Sequence, residues 1–300
     1  MKKLMISGAT GMIGSAIVRL ALKQNYKICC IVRKNSTRID HLPKDKNLTI
    51  VECNLRDYKS LKLTLKYDIF IHLAWDKTFG VSRDDVSMQI NNIQYTFDAV
   101  NLAKRCGCSV FIGAGSQAEY GIKTEPLTPE MTVNPESGYG IAKFSAGKLA
   151  RLLCKQLGIR FNWLRILSVY GKDDASHTLI SYVISELKAG RSPKLTKCEQ
   201  RWDYLFCDDV ATAFFAVAEN GIDGKSYPLG SGQAKKLSEY IEEIHTIINP
   251  SVPIKYGQKD YYPHQPMYLV ANITQLTKDT NWSPKISFQD GIKNILGQNK

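Results

Sequence analysis

Short apolar runs rich in β-branched residues recur through the first half of the chain, at 3–7, 27–32, 48–52, 68–72 and 109–113. Each is too short for a helix, is bounded by polar turns, and predicts a strand. Residues 12–24, 57–65 and 84–106 lie between them and carry helical spacing. This alternation predicts right-handed βαβ units and a parallel sheet covered on both faces, an α/β fold. Beyond about residue 172 the rhythm loosens. Prolines cluster at 250–266 and recur at Pro284, and shorter helical patterns occupy 176–189, 235–248 and 288–296. Residues 1–171 are therefore expected to form the main domain, with part of 200–230 returning to it. Residues 172–300 are expected to form mainly a smaller lobe.

Composition adds bounds rather than detail. A chain of 300 residues, 44% hydrophobic and 23% charged, suits one large α/β unit with a second lobe. The opening MKKLMISGATG has two lysines and an apolar stretch shorter than a signal peptide core, and no run approaches a membrane span. A cytoplasmic protein that uses no membrane is the expectation. The eight cysteines form no C-x-x-C pair and no zinc-spaced cluster, so they read as small hydrophobes, with neither a metal site nor a disulfide framework. The net charge of +12 fits an anionic ligand, and it equally fits a lysine-rich solvated surface. The basic residues are scattered, without aromatic interleaving, which disfavours nucleic acid.

The first strong chemical signal is GATGMIG, with Gly8, Gly11 and Gly14 directly between a strand and a helix. Glycines permit the tight turn and the close approach of a pyrophosphate, and the helix start offers free N–H groups. The fold class is thus a Rossmann-type doubly wound parallel sheet. The second strand ends IVRKNSTR, where an NAD site usually carries an acid. Arg33 stands there, beside Lys34 and Ser36, with no acid before Asp40. A guanidinium pairs well with a 2′-phosphate, which points to NADP, with NAD possible; a solvated basic turn fits the same letters.

The second signal joins GSQAEYG, at 115–121, to SGYGIAK, at 137–143. Tyr139 and Lys143 are four residues apart and share a helix face. An ammonium beside a phenol is expected to lower the phenol's pKa, fitting Tyr139 to pass a proton to or from a sugar oxygen. The Ser116 hydroxyl is placed to hydrogen-bond the same oxygen, and a nicotinamide exchanges the hydride.

With these motifs in order, the chain resembles the extended short-chain dehydrogenase/reductases, the NAD-dependent epimerases and dehydratases that act on nucleotide sugars. The resemblance runs almost end to end, through IHLAW at 71–75, NIQYT, LRILSVYG at 164–171, QRWDYLFCDDVA at 200–211 and the tail LTKDTNWSPKISFQDGI. It implies Ser116, Tyr139 and Lys143 as catalytic. It implies Gly8, Gly11, Ile13 and Gly14 against the pyrophosphate, with Thr10 and Met12 in the same cofactor loop, and Arg33 near the adenosine ribose. Asn54 and Leu55 are expected to flank the adenine. Leu73, Ala74 and Trp75 are expected at the inner phosphate and nicotinamide ribose, and Asn92 at the cofactor-side asparagine that braces a strand. Ser168 and Val169 are expected to border the nicotinamide and sugar.

The family's reactions are separated by the neighbours of Ser116. Its dehydratases carry an acid pair where this chain has Gln117 and Ala118, and its C3/C5 epimerase-reductases carry a cysteine at the Ala118 position. What remains needs only a hydride and one proton: a 4-ketoreductase, or a C4 epimerase of the UDP-hexose type that keeps NAD bound. The Arg33 region favours the reductase. More loosely, the chain resembles the CDP-abequose synthase type of 4-keto-6-deoxy-sugar reductase, with a CDP-, dTDP- or GDP-linked substrate. Gln117, Glu119, His177, Arg201 and Trp202 are the expected substrate contacts. For three of them a plainer place competes: solvent for Glu119 and His177, the core for Trp202. The family's Arg-Asp pair is Trp202-Asp203 here, its tyrosine-arginine pair is Tyr261-Tyr262, and its N-V-Y-G asparagine is Ser168. A homodimer through the helices beginning near 84 and 139 is a further family expectation. A cofactor-binding sensor without turnover is the reading from outside enzymology.

Overall fold

The computed structural model describes residues 1–262 and 265–298. Twelve strands are formed among them: β1 Lys3–Ser7, β2 Lys27–Val32, β3 Leu48–Glu52, β4 Ile69–His72, β5 Val110–Ser116, β6 Arg160–Ile166, β7 Ser168–Tyr170, β8 Arg201–Trp202, β9 Tyr204–Phe206, β10 Ser226–Leu229, β11 Lys235–Lys236 and β12 Tyr268–Leu269. The helices are α1 Met12–Lys23, α2 Val86–Arg105, α3 Gly138–Leu157, α4 Leu179–Lys188, α5 Cys207–Asn220, α6 Leu237–Ile248, α7 Thr274–Thr280 and α8 Phe288–Leu296.

Seven strands make one parallel sheet in the order β10-β6-β5-β4-β1-β2-β3. Alternate side chains leave opposite faces of a strand. Leu4 and Ile6 therefore join the core under α1 and α5, while Met5 joins Phe70, Phe111, Phe161 and Trp163 under α2 and α3. Both faces are covered, so β4 is buried at all four residues and its Ile69, Phe70 and Ile71 read as an apolar run. Smaller sheets, β11-β8-β12 and β7-β9, lie in the later part of the chain.

The expected helix at 57–65 does not form. A 3₁₀ turn at Leu55–Asp57 is followed by turns up to β4. Leu61, Leu63 and Leu65 alternate instead of recurring at helical spacing, and β3 is an edge strand with Thr49, Ile50 and Glu52 exposed. With little apolar surface to cover there, an extended crossover suffices. Helix α2 begins later than residue 84, at Val86, because the Asp85 carboxylate accepts from Met88 N and caps it, behind a 3₁₀ turn at Gly80–Asp84. Strands β6 and β10 extend the sheet beyond the five runs read from the pattern.

Two aspartates of the second half prove to be stitching. Asp203 is fully buried and accepts from the backbone of Ser231, Gly232 and Ala271. Asp209 accepts from Lys285 N and Ile286 N, fastening the tail to α5. All eight cysteines are buried free thiols; burial pushes Cys29 up to about 11 and Cys154 and Cys207 up to about 12. Among the described residues no helix is long and apolar enough to cross a membrane.

Candidate active site

Two adjoining cavities open along the C-terminal edge of the sheet, where ligands of open α/β folds bind. The larger, about 810 Å³, runs from Gly8, Thr10 and Gly11 past Arg33 to Asn54 and Leu55, and also touches Leu73, Ala74 and Trp75. The smaller, about 400 Å³, holds Met12, Ile13, Gly14 and Val169 together with Ser116, Tyr139 and Lys143. Gly8, Gly11, Leu73 and Trp75 line both. These residues come from separate strands and loops, and the sheet brings them into one cleft.

The glycine loop has the shape that its letters suggest. Gly8 sits at φ +71, and a Cβ there would lie 2.9 Å from Ala74 N. A Cβ on Gly14 would lie 2.2 Å from Gly8 O. Both positions require glycine, and the backbone they shape leaves the start of α1 open to the larger cavity, where Gly11 caps without a side-chain bond. A pyrophosphate fits such a cradle: it brings negative charge to free N–H groups at the positive end of the helix. At the adenosine end the basic turn supplies a second guanidinium that sequence reasoning missed. Arg38 lines both cavities and donates to Asp173 O at 2.6 Å. Its signal was present, five residues beyond Arg33 in the same turn.

Strand β5 ends at Ser116, and Ser137 caps α3 by accepting from Gly140 N, which sets Tyr139 in its first turn and Lys143 one turn on. Burial pushes the Tyr139 phenol above its ordinary value, opposed by the Ser116 hydroxyl and by the charge of Arg83. The Lys143 ammonium donates to Ala114 O at 2.7 Å, lies 3.8 Å over the Trp75 ring and is 5.7 Å from the Tyr139 ring. Its own burial brings it down to about 7. The ammonium thus lies against a carbonyl and an indole ring, with the phenol ring farther off.

The cation nearest the phenol ring is one that no motif announced. Arg83 lies 4.8 Å over the Tyr139 ring, from the 3₁₀ turn before α2. The same turn is pinned to the start of α3 by Asp84, whose carboxylate accepts from Gly138 N at 2.7 Å.

Several expected contacts stand elsewhere. Glu119 faces neither a sugar nor solvent: it is 1% exposed, and its carboxylate accepts from Ser116 N, Trp163 Nε1 and Arg165 Nε, each at 2.8 Å. It braces the Ser116 turn from beneath. Asn92 lines neither cavity; its amide bonds both ways to the backbone of Asp76 and braces the loop after β4. Gln117 lines a separate cavity of about 320 Å³ with Arg83 and Tyr268. His177 is exposed, its ring 4.9 Å from that of Phe79 at the rim of the smaller cavity. Arg201 is exposed and Trp202 donates to Ser168 Oγ at 2.7 Å, so Ser168 is engaged in packing the lobe instead of facing the cleft. Of the aromatic pair, Tyr261 bonds Glu199 and Tyr262 is largely exposed.

A model described as the NAD dependent epimerase/dehydratase family matches residues 4–230. CDP-abequose synthase of Salmonella muenchen is 24% identical over 305 residues, covering 98% of this chain and 97% of its own. Among solved structures, the UDP-N-acetylglucosamine 4-epimerase of Methanobrevibacter ruminantium M1 superposes with a TM-score of 0.88 at 23% identity, covering 99% of both chains. The UDP-glucuronic acid 4-epimerase of Bacillus cereus, solved with UDP-glucuronic acid and NAD, does so at 0.85 and 21%, covering 99% of this chain and 98% of its own.

Proposed function

The chain belongs to the NAD-dependent epimerase/dehydratase family, and from that premise we propose that it reduces the 4-keto group of a nucleotide-linked 4-keto-6-deoxyhexose with NADPH. The observation that carries this reading is the turn after Ser116. Gln117 and Ala118 are uncharged, and the one acid of the turn, Glu119, is locked under the loop by Arg165. Elimination of water or epimerisation beside the ketone needs a further acid or base at that turn. Carbonyl reduction needs only a hydride and one proton. The match to CDP-abequose synthase over nearly the whole chain agrees with it.

The basic turn supports NADPH. Arg33, Ser36, Thr37 and Arg38 line the adenosine end, and no acid follows β2 along that wall. Two guanidiniums there suit a 2′-phosphate. When bound, NADPH supplies the hydride. The glycine loop and the start of α1 hold its pyrophosphate, and Trp75 lines the wall that both cavities share. Ser116 Oγ donates to the ketone oxygen and fixes its direction. Tyr139 delivers the proton as that oxygen gains charge. Lys143, donating to Ala114 O one helical turn beyond Tyr139, completes the polar floor.

Val86, Ile90, Ile141, Leu149 and Leu152 are exposed on α2 and α3, which supports a homodimer through these two helices. A cytoplasmic location accompanies this reading. The test is to present NADPH and NADH with a panel of nucleotide-linked 4-keto-6-deoxyhexoses and follow loss of the reduced cofactor. Oxidation of NADPH by one sugar, abolished by Tyr139→Phe, supports the proposal. Retained NAD with interconversion of UDP-hexoses overturns it in favour of a C4 epimerase, and cofactor binding without any turnover in favour of a sensor.

A further inference from the structure

Asp173, in the loop between β7 and α4, holds φ +68. A residue other than glycine keeps this left-handed backbone at a cost, and its surroundings hold it there. Two guanidiniums do so here. Arg38, from the segment after β2, donates to the Asp173 carbonyl oxygen at 2.6 Å, and Arg19, from α1, reaches its carboxylate at 3.4 Å. The next residue, Asp174, is satisfied within the loop, accepting from Ala175 N and Thr178 Oγ1. The far end of the loop is held separately, by the His177 ring 4.9 Å from that of Phe79 in the loop after β4.

The sheet order gives the Arg38–Asp173 bond its meaning. In that order β2 lies on one side of β1, and β6, which leads into β7, lies on the other. The bond therefore joins segments from opposite sides of the strand that carries the glycine loop. Both partners line the smaller cavity beside Gly11, Met12 and Gly14, so the junction stands at the start of α1. A dinucleotide in this cleft runs from the Arg33 wall to Ser116 past that start. Its pyrophosphate thus lies within the bridge, and the bridge closes one side of its path. A single charged hydrogen bond between half-buried residues is enough to bias a loop closed and weak enough to break within a turnover.

We propose that Arg38 and Asp173 form a clasp that retains the dinucleotide and opens for each exchange. Arg38 then holds the cofactor in the cleft whether or not it carries a 2′-phosphate. The inference rests on the dinucleotide site alone, and not on the sugar or the reaction.

The experiment is stopped-flow release of NADH, and separately of NADPH, from the full chain, each displaced by excess oxidised cofactor and followed by nicotinamide fluorescence. Arg38→Met should speed NADH release about tenfold. Asp173→Ala, which disfavours the left-handed backbone and removes the Arg19 pair, should do the same. Asp173→Asn tolerates that backbone and keeps the carbonyl, and should stay within about threefold of wild type. The double variant Arg38→Met/Asp173→Ala should release NADH no faster than the quicker single one, because the same bond is lost in each. NADH carries no 2′-phosphate, so an effect of Arg38→Met confined to NADPH overturns the clasp and leaves Arg38 as a contact of the ribose phosphate. Unchanged NADH release in Asp173→Ala, or additive effects in the double variant, overturns it as well. No sugar enters the assay, so these outcomes are independent of the proposed reduction.

Discussion

Replacing Glu119 by Gln tests the buried support of the Ser116 turn. The carboxylate accepts three hydrogen bonds of 2.8 Å, and the side chains of its ion pair are 1% and 4% exposed. Gln keeps the shape and one carbonyl oxygen, but turns an amide towards Arg165 and leaves that guanidinium as an uncompensated buried charge. Breaking such a pair from one side costs about 3–5 kcal/mol. In a chain of this size that lowers the melting temperature by roughly 6–10 °C. Replacing both partners, as Glu119→Gln/Arg165→Met, removes the stranded charge, so the double variant is expected to melt above Glu119→Gln alone. The assay is a thermal melt of wild type, both single variants and the double, read as a double-mutant cycle. A Glu119→Gln protein melting within about 1 °C of wild type refutes the argument. So does a double variant that loses the sum of the two single losses, because the partners then act independently.

Four further outcomes follow from the site. Tyr139→Phe should lower turnover by about 10²–10⁴ with the fold intact, measured as oxidation of reduced cofactor beside a circular dichroism spectrum; near-normal turnover removes the tyrosine from the chemistry. Lys143 is held near 7 in the folded chain against an ordinary 10.5, so between those values the unfolded chain carries the extra proton and stability rises with pH; Lys143→Met should flatten that rise in urea midpoints taken at about pH 7 and 10, and an unchanged slope contradicts it. Arg83→Leu should move the basic limb of the pH–activity profile upward by about half a unit or more, with Arg83→Lys largely restoring it, since a cation over the ring favours the phenolate; a profile unmoved in Arg83→Leu excludes the effect. Gly14→Ala should weaken dinucleotide binding at least about tenfold by calorimetry and lower stability, because its Cβ meets backbone at 2.2 Å, whereas a Cβ on Gly11 has only an ordinary 3.5 Å neighbour and should leave the melting temperature within about 1 °C; equal effects at the two positions contradict the steric argument.

The parts of this protein that local sequence determines are those whose physics is local. Strands β1, β2, β4 and β5 and helix α1 announce themselves because burial on both faces demands short continuous apolar runs, and because a strand followed at once by three spaced glycines has few other uses. Tyr139 and Lys143 are legible as a pair because one helical turn separates them. The segment at 57–65 misled because its leucines alternate while its neighbouring strand needs no cover, and a sheet edge is a property of strand order, not of composition. The buried support of Ser116 was beyond sequence reach for the same reason. Glu119 and Arg165 stand 46 residues apart and meet only because β5 and β6 are paired in one register. Arg83 comes over Tyr139 only because Asp84 ties its turn to the start of α3. Lys143 meets Ala114 O and the Trp75 ring only because β5 and the loop after β4 pack against α3. Spacing along the chain placed Tyr139 and Lys143 on one helix face. Burial and charge between distant segments decided how each is held and which proton it carries.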